Sequence, residues 1–482
     1  MSDIPPGPRP VPLAPAGPRA LLVAGTRSGS GKTSVALGLM AACARRGLDV
    51  RPFKAGPDFI DPGHHARACR APSHNLDTWM LGPDECRAVF ARHAAGGDLA
   101  VVEGVMGLFD GAGLPGAAVG GPGSTAELAR VLGLPVLLVL DCAGQAASAA
   151  AVAAGFTALD PGLRFAGVAL NNVASPRHAA LVRAALAEAL PDLPVLGCLP
   201  RDPAVGLASR HLGLVTAEAG DTPDDAPYAR LADWAGAGLD LDGLLAALPR
   251  LELAPPPSDP PAPGPRLRLG VARDAAFCFR YAENLRRLAA AGLDPVCFSP
   301  LADAGLPPGL DGLYLPGGYP ELHAARLAAN AGMRREVAAF CASGRPVWAE
   351  CGGFMYLCAG LADGAGARHG MCGVFRAEAV MGDRPARLGY RRAEAAADTP
   401  LLAAGTSARG HEFHYSRLAA APAGAVPAVA QADARGAVLD EPGLWAAGGA
   451  GNVLGGYLHL HLGSAPEAAA RLARACRAAH SG

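Results

Sequence analysis

The chain has no surplus of either charge. In 482 residues, 42 Lys and Arg stand against 43 Asp and Glu, so nothing argues for an electrostatic grip on nucleic acid or on an anionic membrane. Its 12 cysteines include no C-x-x-C pair and no Cys/His cluster at zinc spacing. That excludes the usual structural metal knot or disulfide framework and fits a reducing cytoplasm. Long apolar runs are missing as well. The stretch before Leu21 is rich in proline and lacks the apolar core of a secretory signal. The longest apolar runs, such as Pro135 to Leu140, fall far short of the ~20 residues a membrane helix needs. No short repeat is present. The expectation is a soluble, cytoplasmic protein that acts on small molecules, with no nucleic acid or membrane as partner; its number of copies, a homodimer included, stays open.

The length exceeds one ordinary core and predicts two domains of roughly 200 residues or more. Residues 251–266 read LELAPPPSDPPAPGPR, a stretch that can neither continue a helix nor donate to a sheet ladder. The expected division is a disordered tail at 1–18, a first domain at 19–250, a linker at 251–266 and a second domain at 267–482. In the first domain, apolar runs (Leu21 to Ala24, Val50 to Phe53, Leu99 to Val102, Val136 to Leu140, Phe165 to Leu170) alternate with Ala/Leu-rich helical stretches. That rhythm predicts an α/β fold with a parallel sheet. The same rhythm returns after the linker in Leu267 to Ala272, Val296 to Ser299, Gly312 to Leu315 and Pro346 to Ala349.

Gly25 to Thr33 (GTRSGSGKT) follows the first strand and opens a helix. Gly29, Ser30 and Gly31 let backbone N–H groups curl around phosphate oxygens, Lys32 adds a positive charge, and Thr33 offers a hydroxyl to Mg²⁺. The expected first glycine is replaced by Thr26, a variant that resembles dethiobiotin synthetase. An acid at a strand end should serve the metal: Glu103 is the leading candidate and Asp141 the competitor, while a helix cap is the bland alternative for either. After the second strand comes FKAGPDFIDPGH. There Lys54 can bridge phosphate and substrate carboxylate, and Asp58 and Asp61 can bind metal or orient the substrate; the alternative is a plain Pro/Gly/Asp turn.

Later, Pro346 to Met355 (PVWAECGGFM) passes from strand through a tight turn into a helix, which would lift Cys351 clear of the backbone as a nucleophile. An inert buried thiol is the alternative. GGYLHLH supplies two histidines two residues apart, hence on one face of a strand, and His459 is the favoured partner of the thiol. Gly317 and Gly318, in PGGYPE, can offer N–H groups to an oxyanion; alone they are equally a turn.

Together GTRSGSGKTS, FKAGPDFIDPGHH, NLDTWM, VVEGVMGLFDG, GSTAELA, GVALNNV, SRHLGL, ARDAAFCFRYAENL, FSPLAD, LYLPGGYPE, AECGGFMYL, GHEFHYS and GGYLHLH resemble, in order, the cobyrinic acid a,c-diamide synthase family. The resemblance implies a dethiobiotin-synthetase-like P-loop domain joined to a triad-type (class I) glutamine amidotransferase domain. It implies ATP- and glutamine-dependent amidation of the a and c acetates of a corrinoid, cobyrinate or hydrogenobyrinate, in cobalamin biosynthesis, with Mg²⁺ accompanying ATP. By the same resemblance Cys351 is the glutaminase nucleophile and His459 raises its nucleophilicity, and Asn171 stands where the adenine is recognised. Asp58, Phe59, Ile60, Asp61, Glu103 and Asp110 fall in the segments that meet Mg²⁺, phosphate and substrate. The histidine lacks the usual following Pro-Glu, so no third triad acid is assigned and a Cys–His dyad is expected. Two relatives in chemistry, nickel-sirohydrochlorin diamide synthase and cobyric acid synthase, remain alternatives, as does a regulatory P-loop ATPase carrying an inactive glutaminase-like domain.

Overall fold

The computed structural model describes residues 17–205, 225–449 and 451–481; residues 1–16 of the tail expected at 1–18, and SRHLGL, lie outside them. Seven strands build the first sheet: Arg19–Gly25 (β1), Val50–Ala55 (β2), His74–Leu76 (β3), Leu99–Glu103 (β4), Val136–Asp141 (β5), Phe165–Val173 (β6) and Val195–Pro200 (β7). Their order is β3-β2-β4-β1-β5-β6-β7, and every pairing is parallel. Because side chains alternate along a strand, Leu21 and Val23 of β1 pack with Val35 and Leu39 of helix α1 (Lys32–Arg45). Ala20, Leu22 and Ala24 face the other way, onto Val89 and Phe90 of helix Pro83–Ala94. Burial on both faces is what makes these strands read as unbroken apolar runs.

The second sheet has ten strands. Leu293–Phe298, Leu267–Ala272, Gly312–Leu315, Val347–Glu350 and Val453–Gly456 lie parallel, in that order. An antiparallel wing continues from the last of these through Leu444–Ala447, Val426–Asp433, Arg387–Ala395, Ser407–His414 and His459–Leu460. The apolar runs foresaw four of the five parallel strands, Val453–Gly456 excepted, but not the wing, whose strands, such as SARGHEFH, alternate exposed and buried residues with few apolar side chains. Residues 251–266 contain no helix or regular strand. They are nevertheless held down: Leu251 N donates to Pro18 O at 2.9 Å and Arg92 Nη2 to Pro257 O at 2.7 Å.

The NLDTWM segment joins the two halves. Asp77 Oδ1 accepts from the N–H groups of Trp79 (2.9 Å) and Met80 (2.8 Å), and its Oδ2 accepts from the Tyr390 hydroxyl across the interface at 2.7 Å. The Trp79 and Tyr390 rings stack at 4.7 Å, and Arg409 donates to Trp79 O at 2.6 Å. Burial raises the Asp77 carboxyl to about 6, with the Tyr390 bond opposing. Asn75, two residues earlier, donates from Nδ2 to the carbonyls of Gly56 (2.9 Å) and Asp58 (2.7 Å), fixing the loop after β2.

Candidate active site

The phosphate loop is built where β1 meets α1. Gly29 and Gly31 have φ of 76° and 87°, in the left-handed region that glycine enters without strain. A Cβ on Gly31 would lie 2.0 Å from Asn171 Nδ2. That amide donates to Ser30 O at 2.9 Å, so Asn171 braces the loop with one of its groups. Helix α1 has no side-chain N-cap, which leaves its first N–H groups for an anion. Burial, followed by repulsion from Lys54, lowers the pKa of Lys32, and Glu103 and Asp61 act in the opposite sense.

Beneath the loop lies a buried network. Thr33 Oγ1 donates to Glu103 Oε1 at 2.6 Å. Lys54, 1% exposed, donates to the same oxygen and to Gly104 O, both at 3.0 Å, and pairs with Asp61 at 2.7 Å. His65 Nε2 meets Glu103 Oε2 at 2.7 Å. Burial by itself would raise Glu103, yet Lys54, His65 and Lys32 hold it well below the usual carboxylate range. Asp61 goes the other way, raised by burial and then by Asp58 and Glu103. Lys54, whose burial would discharge it, is kept charged by Asp61, Glu103 and Asp58. The Thr33 hydroxyl and the Glu103 carboxylate, with Asp58 and Asp61 around the same lysine, form a hard-oxygen donor set of the kind Mg²⁺ takes.

The remaining acids separate by their partners. Asp141, the competitor of Glu103, is bound by Arg27 at 2.7 Å and Asn172 at 2.9 Å, away from Thr33. Asp58 Oδ1 accepts from the N–H groups of Ile60 (2.7 Å) and Asp61 (3.1 Å) and shapes the loop, while its Oδ2 lies 4.0 Å from Lys54. Asp110 is exposed, and its Oδ2 accepts from Gly107 N at 2.8 Å, a turn bond outside the Lys54 network.

In the second half, Cys351 sits between strand Val347–Glu350 and helix Gly352–Leu357 with φ 46° and ψ −104°. For a non-glycine residue this is strained, as a nucleophile elbow is. Its neighbours must be glycines: a Cβ on Gly353 would lie 2.0 Å from Leu315 O, and one on Gly352 would lie 2.9 Å from Gly318 N. A Cβ on Gly317 would lie 2.4 Å from His459 Cε1 and 3.3 Å from Cys351 Cβ. The expected thiol, histidine and glycine pair are therefore together. His461 is not part of this group. The strand ends at Leu460, and the His461 ring turns to Tyr281 at 4.7 Å, so the shared face expected for the two histidines is not formed.

Beside the expected Cys–His dyad stands an acid that the sequence did not assign. Glu350, 1% exposed, precedes the nucleophile, and its Oε2 lies 3.8 Å from His459 Nδ1, a charge contact longer than a hydrogen bond. Tyr314 OH donates to that oxygen at 2.7 Å and Leu460 N to Oε1 at 2.8 Å, which fixes the carboxylate. Asn284 pins the histidine segment, donating to Leu460 O at 2.7 Å and accepting from Leu462 N at 2.8 Å. Burial opposes a charge on His459, but Cys351 and then Glu350 outweigh it and raise the imidazole to about 10.

The cysteine site shares a cavity with the loop after β2. Its volume is about 520 Å³, and its wall includes Cys351, His459 and Gly318 from one half and Asp58, Ile60 and Met106 from the other. Phe59 packs its ring 4.7 Å from that of His459 and 4.5 Å from Tyr281. Among the described residues, no helix is long and apolar enough to cross a membrane.

A thiol–imidazole pair with a buried carboxylate beside it, in one chain with a phosphate loop, marks a glutamine-dependent carbon–nitrogen ligase. The known families agree: residues 21–215 match the CobQ/CobB/MinD/ParA nucleotide binding domain, and residues 268–467 the CobB/CobQ-like glutamine amidotransferase domain. Hydrogenobyrinate a,c-diamide synthase of Rhodobacter capsulatus is 44% identical over 454 residues, 93% of this chain and 99% of the relative. The enzyme of that name from Streptomyces coelicolor is also 44% identical, over 95% of this chain and 97% of the relative. Cobyrinate a,c-diamide synthase of Syntrophotalea carbinolica is 43% identical over 95% and 98%. The chain belongs to the cobyrinate/hydrogenobyrinate a,c-diamide synthase family.

Proposed function

We propose that this enzyme amidates the a and c acetate carboxylates of a corrinoid, hydrogenobyrinate or its cobalt-bearing counterpart cobyrinate, with one ATP and one glutamine for each amide. The observation that carries the reading is the single cavity on which the Cys351/His459 pair and the Asp58–Asp61 loop both open. Residues 19–250 act as the ATP-dependent unit and 267–482 as the glutaminase, and the reaction belongs to the cytoplasm. Gly29 to Thr33 hold the phosphates, and Asn171 stiffens that loop beside the adenine pocket. Mg²⁺, held by Thr33 and Glu103, would neutralise phosphate charge. The acceptor carboxylate lies at Lys54 and the Asp58–Asp61 loop, and its oxygen attacks the γ-phosphorus to give an acyl phosphate and ADP. Lys32 follows the charge on the transferring group.

In the other half the Cys351 sulfur attacks the side-chain amide carbon of glutamine, and the oxyanion turns to the N–H groups of the Gly317–Gly318 loop. Imidazolium at His459 protonates the leaving nitrogen, ammonia departs, and a glutamyl thioester remains. Water, losing its proton to His459, cleaves the thioester to glutamate. Glu350 favours the charged form of His459 each time the imidazolium forms. Ammonia crosses the shared chamber and displaces phosphate from the acyl phosphate. Incubation with hydrogenobyrinate or cobyrinate, ATP, Mg²⁺ and glutamine, read by mass spectrometry, should give two successive amide gains, and the absence of any gain with both corrinoids sinks the reading.

A further inference from the structure

Phe59 is also a wall of a second, larger cavity, about 1380 Å³, which lies between the two halves and includes Pro62 and Gly63, the residues that follow Asp61. Seven arginines and three histidines line it, against one acid, Asp274. That carboxylate is committed to the chain itself: it accepts from Ala276 N and Ser299 Oγ, both at 2.8 Å, and from Leu301 N at 2.9 Å. Some of the arginines are paired, as Arg51 is with Asp49 and Arg286 with Asp259. Arg70, Arg273 and Arg326 are exposed and have no ion-pair partner among the described residues. The buried Nδ1 of His74, at the same wall, also lacks a hydrogen-bond partner.

We propose that this arginine-lined cleft docks the polycarboxylate body of the tetrapyrrole, with several acid arms on Arg70, Arg273 and Arg326 while one acetate passes Phe59 to the Asp58–Asp61 loop. The inference rests on the amidation reading above. Size and charge divide the two cavities. Drug-sized ligands fill pockets of about 300–1,000 Å³. A chamber of about 520 Å³ suits glutamine, whereas a macrocycle bearing many acid arms needs the larger space. Guanidinium groups match carboxylates in fork geometry, and the desolvation cost is small where they remain partly hydrated.

The test compares the full-length enzyme with Arg70→Ala/Arg273→Ala/Arg326→Ala in two assays. One is fluorescence titration with uroporphyrin, an octacarboxylate ring, without ATP or glutamine; the other is the KM for hydrogenobyrinate in amidation. Each exposed charge contact is weak alone, but three together should raise both Kd and KM about tenfold. The thermal midpoint should stay unchanged, and wild-type binding should weaken as salt rises. A wild type that forms the diamide while the folded variant keeps its Kd and KM overturns the cleft and leaves the amidation reading standing. A wild type that binds and amidates no tetrapyrrole overturns both.

Discussion

Replacing Glu350 by Gln removes one charge and keeps the side-chain volume; the amide oxygen can still accept from Leu460 N, and the amide nitrogen can donate to a turned Tyr314 hydroxyl. Two unit charges 3.8 Å apart in a surrounding of effective dielectric about 20 interact by about 4 kcal/mol. That is an upper bound on the share Glu350 has in holding the His459 proton, since Cys351 contributes more. A loss of one to two pKa units is therefore expected, each unit being about 1.4 kcal/mol. Glutamine hydrolysis requires protonated His459 to release ammonia, so kcat/KM should fall at high pH with a midpoint near 10 in the wild type. In Glu350→Gln this alkaline limb should move toward neutrality by about one to two units, so kcat/KM at pH 9 should drop about two- to tenfold while the value near pH 7 changes little. A role confined to packing would lower the rate without moving the limb. The assay is glutamate release across pH 6 to 11 in a buffer of constant ionic strength, and an unshifted profile in the folded variant refutes the reasoning.

Four further outcomes follow from the same geometry. Cys351→Ala should lose glutamine-driven amidation and keep activity with added ammonium at alkaline pH, so a folded variant dead with both sources would break the division of labour. Lys32→Ala should cost roughly a hundredfold or more in amidation, by the usual worth of such an electrostatic element, measured as ADP release with saturating corrinoid. Lys54→Met strands Asp61 and Glu103 in a dry site, and about 3–5 kcal/mol of stability should go with it, checked by denaturant unfolding. Tyr390→Phe removes one interdomain hydrogen bond, and the ratio of glutamine hydrolysed to amide formed should rise above that of the wild type as ammonia escapes.

Whatever was encoded in contiguous residues was legible in the sequence. The phosphate loop is a run of nine residues with its own backbone logic, and the cysteine elbow carries glycines that the close approach of Leu315 and Gly318 requires. Glu103 and Asp141 look alike as acids at strand ends; only the fold puts Thr33 on one and Arg27 on the other. Glu350 escaped because an acid closing a strand reads as a turn residue, and because the third acid was sought after the histidine rather than before the thiol. Lys54 was picked out for phosphate or substrate, but its burial among three carboxylates depends on β2 and β4 lying side by side and on α2 (Asp61–Cys69) folding over them. NLDTWM gave no chemical signal, since Asp77 and Trp79 act on Tyr390, more than 300 positions away. The antiparallel wing was illegible for a similar reason: its strands are stabilised by neighbours distant in the chain rather than by a strong local pattern.

The three-residue strand His74–Leu76 bears on whether the enzyme can be divided. Asn75 holds two carbonyls of the loop after β2, and two residues on Asp77 holds the second half through Tyr390. A segment so short has no slack, and a shift of the glutaminase is felt at Asp58 without an intervening hinge. The fusion is thus more than a tether that raises the local concentration of ammonia. An N-terminal half produced alone would keep its phosphate loop, which is assembled from its own residues, but would lose the external strut for the loop after β2, which we propose receives the carboxylate. Its nucleotide binding should outlast its capacity to use that nucleotide productively, and supplying the missing half in trans should restore the second property more than the first.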